Sequence, residues 1–152
     1  AFGGPLAEEP GWRGFALPGL QERLGPLAGA LVLGVLHGVW HLPLYLLIPG
    51  YNGAPPDLAG IGAQFLVFVV GVTSGSVTIT WLFNNTRGSV LLAMLYHATA
   101  NCVGVVIGGF FPGLDVRDQL GLVRAPLQVA VALLLIVATR GRLSYGPRPL
   151  VG

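Results

Sequence analysis

Charge is scarce in this chain. Only 9% of its 152 residues are Asp, Glu, Lys or Arg, and lysine is absent. The mean hydropathy is +0.74. A water-soluble surface normally carries roughly a quarter charged residues, so this composition excludes an ordinary soluble domain. We therefore expect the chain to fold within a lipid bilayer.

The cysteine count and the distribution of charge exclude two further features. Cys102 is the single cysteine, so there is no internal disulfide framework. The formal net charge of +2 comes from dispersed arginines that form no basic stripe, so no nucleic-acid partner is expected. The use of arginine for every basic residue favours a GC-rich bacterial genome. Ala1 is not an initiator methionine and no signal peptide precedes the first motif, so we expect an N-terminally truncated fragment of a longer protein.

Long uncharged runs dominate the chain. Three of them exceed the roughly 20 apolar residues that a helix needs to cross hydrocarbon, and a fourth is shorter. They extend from Leu24 to Pro56, Leu58 to Thr86, Gly88 to Leu114 and Ala125 to Thr139. Open sheet edges cannot face lipid, and the runs lack the turn signals of a barrel. We therefore predict helices.

The predicted fold is all-α, a polytopic transmembrane helical bundle with about four spans behind a short leading helix. The spans are placed at residues 26–48, 58–83, 89–111 and about 121–139. Residues 1–25 form the leading segment, in which Leu17–Gly25 has the pattern of a short interfacial helix. Between the first two spans, prolines and glycines of the loop Ile48–Asp57 would break any helix.

The arginines predict how this bundle is oriented. Six of them fall on one side of the predicted spans and two on the other. The larger group is Arg13, Arg23, Arg87, Arg140, Arg142 and Arg148, and the smaller is Arg117 and Arg124. Because cytoplasmic loops carry the excess of basic residues, we expect the larger group to face the cytoplasm.

Three histidines lie inside the predicted spans, where an ionisable group costs at least ~2.5 kcal/mol. His37 and His41 are four residues apart, as are His97 and Asn101, so each pair projects from one helix face. A lone membrane histidine most often makes a packing hydrogen bond. Three of them together with carboxylates indicate a functional site, although the predicted spans place His41 and His97 at depths that differ by roughly 10 Å.

The two adjacent glutamates have different expected surroundings. Glu9 and Arg13 form an i, i+4 pair in the favourable order, which predicts an ion pair. Glu8 points about 100° away on a helix and is expected to lack that partner. Low dielectric near histidines would then raise its pKa, as suits a general base that acts on water. Pro10 and Gly11 are expected to distort this helix.

These residues occur in an order that resembles a known family. The motifs are Glu8-Glu9 followed by Arg13, then Trp40-His41-Leu42-Pro43 at a helix end, then His97 and Asn101 after a small-residue turn. Together they resemble the CAAX protease and bacteriocin-processing family of intramembrane proteases, over about Gly4 to Val103. The resemblance implies one membrane-embedded protease domain over residues 1–152, with a motif-bearing core at 4–103 and a tail at 140–152.

The resemblance also implies an activity related to that of the CAAX prenyl endopeptidase. The substrate would be a membrane-associated protein or peptide, cleaved near its C-terminus in a site that opens toward the cytoplasm, here of a bacterial inner membrane. Carried over by position, Glu8 would activate water and His41 would orient it. His97 and Asn101 would bind the oxyanion of the tetrahedral intermediate.

Supporting roles follow from the same resemblance, with Glu9 and Arg13 as the supporting pair. His37 stands where the family usually has phenylalanine. We expect it to pack as a substitute, and the alternative is a second metal ligand, because a histidine pair at i, i+4 also holds zinc. If a divalent metal such as zinc is used, its ligands would be Glu8, His41 and His97, with an open position for water.

Three other functions remain open from the sequence. In a haem-binding membrane protein, His37, His41 and His97 would supply axial ligands, but Glu8 and Asn101 would have no role. A transporter fragment would use the buried polar residues as a relay, yet it predicts carboxylates inside the spans. An immunity or scaffold protein of the same family would keep the motifs without proteolysis. The sequence predicts no oligomeric state.

Overall fold

A computed structural model of the chain describes residues 3–51, 54–55, 57–111 and 116–146. It contains seven α-helices and a π-helical segment, and no strand occurs in these ranges. The α-helices are α1 (Gly3–Glu9), α2 (Leu17–Leu24), α3 (Pro26–Trp40), α4 (Leu42–Leu47), α5 (Leu58–Asn85), α6 (Val90–Phe110) and α7 (Val116–Ala138). The prediction of an all-α bundle is confirmed.

The leading segment is helical throughout and changes pitch in the middle. Pro10 has no N–H with which to continue the α-helical ladder, and the backbone is π-helical from Pro10 to Ala16. The Leu17 N–H accordingly bonds back to the Trp12 carbonyl, five residues earlier. The expected distortion at Pro10 and Gly11 is therefore present, as a π-helix, a rare form that is frequent at functional sites.

The leading segment reverses direction at Gly25 and folds back along α3. Gly25 has a φ of 82°, which an L side chain rarely adopts, so the glycine predicted to close this helix does so. The backbone of Leu20 and Gln21 then lies against Gly29, where an added Cβ would come within 3.0–3.2 Å. This antiparallel pairing brings the start of the chain beside the far end of α3.

Small residues let α3 and α5 approach closely. A Cβ added at Gly34 would lie 2.6 Å from the Thr73 Cα, and one at Gly38 would lie 3.2 Å from the Val69 Cα. The Ser76 hydroxyl donates to the Ala30 carbonyl at 2.9 Å across the same contact. Glycines four apart are typical of tight helix pairs in membranes, where the driving force is van der Waals contact.

The first predicted span is interrupted at a residue of the motif. Helix α3 ends at Trp40, His41 adopts φ −81° and ψ −6° as the junction, and α4 begins at Leu42 with Pro43 in its first turn. A proline in the first turn of a helix loses no intrahelical hydrogen bond, which explains why the chain breaks just before it. The break gives the His41 side chain a position that a continuous helix would not provide.

One end of the bundle is tied together by Asn84 at the end of α5. Its side chain accepts from Gln21 of α2 at 3.2 Å and donates to the Leu143 carbonyl, beyond α7, at 2.9 Å. Four exposed arginines lie in or beside these segments, namely Arg23, Arg87, Arg140 and Arg142. Arg148 lies outside the described residues. Arg13, the remaining member of the larger group, is only 2% exposed.

The surface of the bundle is apolar. Many large hydrophobic side chains are exposed on α3, α5, α6 and α7, with Leu36 at 52% and Leu134 at 67%. By length and composition, Pro26–Leu47 and Leu58–Asn85 are long and apolar enough to cross a membrane, and Val90–Val103 and Arg124–Ala138 are shorter apolar stretches. These features fit a helical membrane bundle whose outer face contacts lipid.

We predict that Gly34→Ala destabilises the bundle by about 1–3 kcal/mol, since its methyl group would force α3 away from α5. Denaturant unfolding in detergent micelles measures the change. Gly62→Ala is the matched control, because nothing lies within 4 Å of a Cβ added there. Equal stability of both variants would contradict the close contact between α3 and α5.

Candidate active site

Hydrogen bonds join the carboxylates of α1 to histidines from two other helices. Glu8 and Glu9 lie at the end of α1, His37 lies in the last turn of α3, and His97 lies in α6. Arg13, from the π-helical segment, is placed between them. Both α3 and α6 are far in sequence from the contiguous α1 and π-helical segments, so their polar side chains meet only because the bundle is folded.

Glu9 is the most deeply buried member of this group. Its side chain is 0% exposed, and its Oε1 accepts from the Arg13 Nη1 at 3.1 Å and from the His97 Nδ1 at 2.7 Å. The i, i+4 pair predicted from the sequence is therefore present. It also orients His97, since Nδ1 of that ring faces the carboxylate, which leaves Nε2 for another partner.

His37 has polar partners at both ring nitrogens. Its Nδ1 lies 3.3 Å from the Arg13 Nη1 and its Nε2 lies 2.8 Å from the Glu8 Oε2. The ring also stacks on Trp12, with centroids 5.0 Å apart and planes at 27°. The expectation that His37 merely packs in place of a phenylalanine was wrong, because it packs and also makes two buried polar contacts.

Glu8 is not the unpaired carboxylate that the sequence suggested. The hydrogen bond from His37 lowers the pKa of the Glu8 carboxyl, and partial burial opposes that shift without cancelling it. The expected rise in pKa was therefore wrong. A lowered pKa keeps Glu8 ionised at neutral pH, and its base form is lost only as the pH falls through that lowered value.

His41 is oriented by the backbone of the preceding helix, α3. Its Nδ1 lies 2.9 Å from the His37 carbonyl, which can only accept, so Nδ1 carries the proton and Nε2 holds a free lone pair. The His37 ring lies 5.3 Å from that of His41 and 5.9 Å from that of His97, between centroids. The His37 ring thus lies close to the rings of both His41 and His97, which the predicted spans had placed at different depths.

Asn101 is placed apart from this network. It follows His97 by one turn of α6, as its spacing predicted, but its side chain is exposed and makes no hydrogen bond to another described residue. The structure therefore brings together Glu8, Glu9, Arg13, His37 and His97, sets His41 beside them, and leaves the amide of Asn101 available.

A second group of ligand atoms overlaps this network. Glu8, His37 and His41 each offer one ligand atom within 4.8 Å of the others, so the group could hold a metal ion. The ligand set proposed from the sequence, Glu8, His41 and His97, is not the one that the structure groups together. His37 takes the place of His97, whose Nδ1 is held by Glu9. Nothing in this geometry identifies zinc.

Two tryptophans border the site, and no role for either was predicted from the sequence. Trp12 stacks on His37, and Trp40 contacts His41 edge-on with centroids 5.0 Å apart. The two indoles also contact each other, at 6.2 Å. Their positions next to Arg13 and His41 in the sequence were the available signal.

An α-helical membrane bundle with a buried carboxylate and imidazole site is the class of protein that these features define. Comparison with known proteins narrows the class. The profile described as Type II CAAX prenyl endopeptidase Rce1-like matches residues 1–103, and the chain belongs to that family. This match confirms the resemblance found in the sequence motifs.

A curated relative supports the same assignment. The chain is similar to CAAX prenyl protease 2 of Methanococcus maripaludis, with 28% identity over 95 residues. The aligned region covers 62% of this chain and 34% of that protein, so the chain spans about a third of the relative's length. No solved structure matches the chain.

We predict that Glu9→Gln destabilises the protein by about 3–5 kcal/mol, because Arg13 would keep its buried charge without a counter-charge. Unfolding in detergent measures this loss. Glu22→Gln, the same change at an exposed position of α2, should stay within about 0.5 kcal/mol of the parent. If Glu9→Gln instead abolished activity at unchanged stability, the roles of the two glutamates would be reversed.

Proposed function

We propose that the protein is an intramembrane endopeptidase that hydrolyses a peptide bond near the C-terminus of a membrane-associated protein or peptide, with Glu8 as the general base. The observation that carries this proposal is the convergence of an ionised carboxylate and three imidazoles inside an apolar bundle. Family membership supports the same reaction class.

Water activation would take place between Glu8 and His41. Both are hydrogen-bond acceptors, because Glu8 is ionised and the Nε2 of His41 carries a lone pair. One water that donates two hydrogen bonds of about 2.8 Å joins acceptor atoms roughly 4.5 Å apart. This separation is compatible with the ligand atoms of Glu8 and His41, which lie within 4.8 Å of each other. Such a water would have both hydrogens engaged and a lone pair free to attack a carbonyl carbon.

The proton balance is complete without a further reactant. As the water oxygen bonds to the carbonyl carbon, Glu8 takes its proton and the carbonyl oxygen becomes an oxyanion. Collapse of the tetrahedral intermediate breaks the C–N bond, and Glu8 returns the proton to the leaving amine. His41 keeps its proton at Nδ1 throughout and serves to orient the water.

The oxyanion would be bound by His97 and Asn101. The Nδ1 of His97 donates to Glu9, so Nε2 is the atom that would face the oxyanion, and it can donate there only when it also carries a proton. The exposed amide of Asn101 lies one turn further along α6. Donors aimed at a developing oxyanion contribute about 2.7–4 kcal/mol each in proteases.

The proposal also includes the orientation of the protein in the membrane and the class of its substrate. The end of the bundle that carries Arg23, Arg87, Arg140 and Arg142 would face the cytoplasm, by the positive-inside rule. The site, near the other end of α3, would lie deeper in the bilayer and would receive substrates from the cytoplasmic side of a bacterial inner membrane. Because the aligned relative is named a CAAX prenyl protease, a peptide ending in a prenylated CAAX sequence is the first probe to test.

Glu8→Gln should lower the turnover of a farnesylated CAAX peptide by about 10²–10⁴-fold, because it removes the base and keeps the side-chain volume. Turnover is measured by peptide fluorescence, and circular dichroism checks that helicity is unchanged. Glu22→Gln is the matched control and should retain the parental rate. Retained activity in Glu8→Gln would remove Glu8 from the mechanism. A parent that binds the peptide without cleaving it would favour a scaffold function.

Asn101→Ala should reduce kcat by about 10²–10³-fold and leave KM nearly unchanged, because an oxyanion donor acts only in the transition state. Steady-state kinetics on the same peptide separates the two parameters. Thr99→Ala, at a neighbouring exposed position of α6, is the control. A rise in KM alone would reassign Asn101 to substrate positioning.

A further inference from the structure

The imidazoles of His37 and His41 carry their protons on opposite ring nitrogens, because their neighbours differ. A guanidinium nitrogen can only donate, so the Arg13 Nη1 requires that the Nδ1 of His37, 3.3 Å away, be the acceptor. The single proton of a neutral His37 ring must then sit on Nε2. In His41 the backbone carbonyl at Nδ1 requires the reverse arrangement.

This protonation pattern makes His37 a donor to Glu8. Nε2 lies 2.8 Å from the Glu8 Oε2, and its proton points at that oxygen. The contact is well protected, because His37 is 4% exposed and its ring stacks on Trp12. One carboxylate oxygen of Glu8 is therefore held, and the other is left for water.

The same pattern conflicts with metal binding by His37. A metal bound at Nε2 would require the proton to move to Nδ1, where it would point at the Arg13 Nη1, a second donor. Arg13 cannot easily turn away, since it is buried and its Nη1 also donates to Glu9 at 3.1 Å. The distances of the Glu8, His37 and His41 group fit a metal, but its hydrogen bonding does not.

We infer that His37 is a positioning residue, fixed by Arg13 in its neutral form as an Nε2–H donor that orients Glu8, and that it is not a metal ligand. The catalytic part of this inference rests on the proposed hydrolase function. Its structural part does not, because the proton on His37 can be observed without any substrate. Nothing in the sequence indicates this role, since it depends on a contact between residues 24 positions apart.

The first test is ¹⁵N NMR of histidine-labelled protein in lipid nanodiscs at neutral pH. His37 should show a protonated Nε2 and a bare Nδ1, His41 the reverse, with His37→Gln used to assign the resonances. Equimolar Zn²⁺ alone should leave the Nε2 proton of His37 in place. A proton on the Nδ1 of His37, or its Nε2 bound to Zn²⁺, would overturn the inference.

The second test is kinetic, on the farnesylated CAAX peptide. His37→Phe keeps the ring packing against Trp12 and removes the donor that positions Glu8, so kcat should fall by about 100-fold with little change in KM. His37→Gln, whose amide can donate to Glu8, should recover part of that loss. Leu36→Phe, the same substituent at an exposed position of α3, is the control.

The two tests separate the possible failures. If the parent protein cleaves no peptide but His37 has the expected protonation, the proposed activity fails and the structural inference stands. If the peptide is cleaved and His37→Phe is as active as Leu36→Phe, the positioning role is wrong. Should His37→Phe fail to fold, the ratio of kcat in His37→Gln to that in the parent, together with the NMR pattern, decides the question.

Discussion

A buried guanidinium is the constraint on which the rest of the site depends. Arg13 is almost fully withdrawn from solvent, so it needs acceptors within the protein, and it finds them in Glu9 and His37. Each acceptor in turn holds a second group, His97 in one case and Glu8 in the other. One cation thereby fixes the geometry on both sides of the proposed reaction centre.

The bundle is built to bring these groups together. Glycines on α3 let the backbones of α3 and α5 come into contact, so the helix that carries His37 is fixed against α5. The reversal at Gly25 carries the leading segment back along α3 and places Arg13 beside His37. The π-helix begins at Pro10, directly after the two glutamates, and contains Arg13, so its pitch sets how these side chains face each other. The left-handed Gly25 and the π-helix therefore both contribute to the geometry of the site.

The helices and the motif residues could be predicted from the sequence, but their connections could not. Uncharged runs and an i, i+4 spacing are local signals, and they correctly predicted the all-α fold and the Glu9–Arg13 pair. The partners of His37 and the ionisation of Glu8 depend on contacts across 24 and 29 residues, which no local pattern contains. The break at His41 could be expected from Pro43 only in hindsight, since proline within membrane helices is often tolerated.

The central claim is that polar side chains from separate segments meet in one buried network, in a chain that belongs to a family of CAAX prenyl endopeptidases. Its longest connection joins Glu9 to His97, 88 residues apart. Solid-state NMR in lipid bilayers can measure the distance from the ¹³C-labelled carboxyl of Glu9 to the ¹⁵N-labelled Nδ1 of His97. We predict the strong dipolar coupling of a direct hydrogen bond, whereas its absence in folded protein would contradict the shared site.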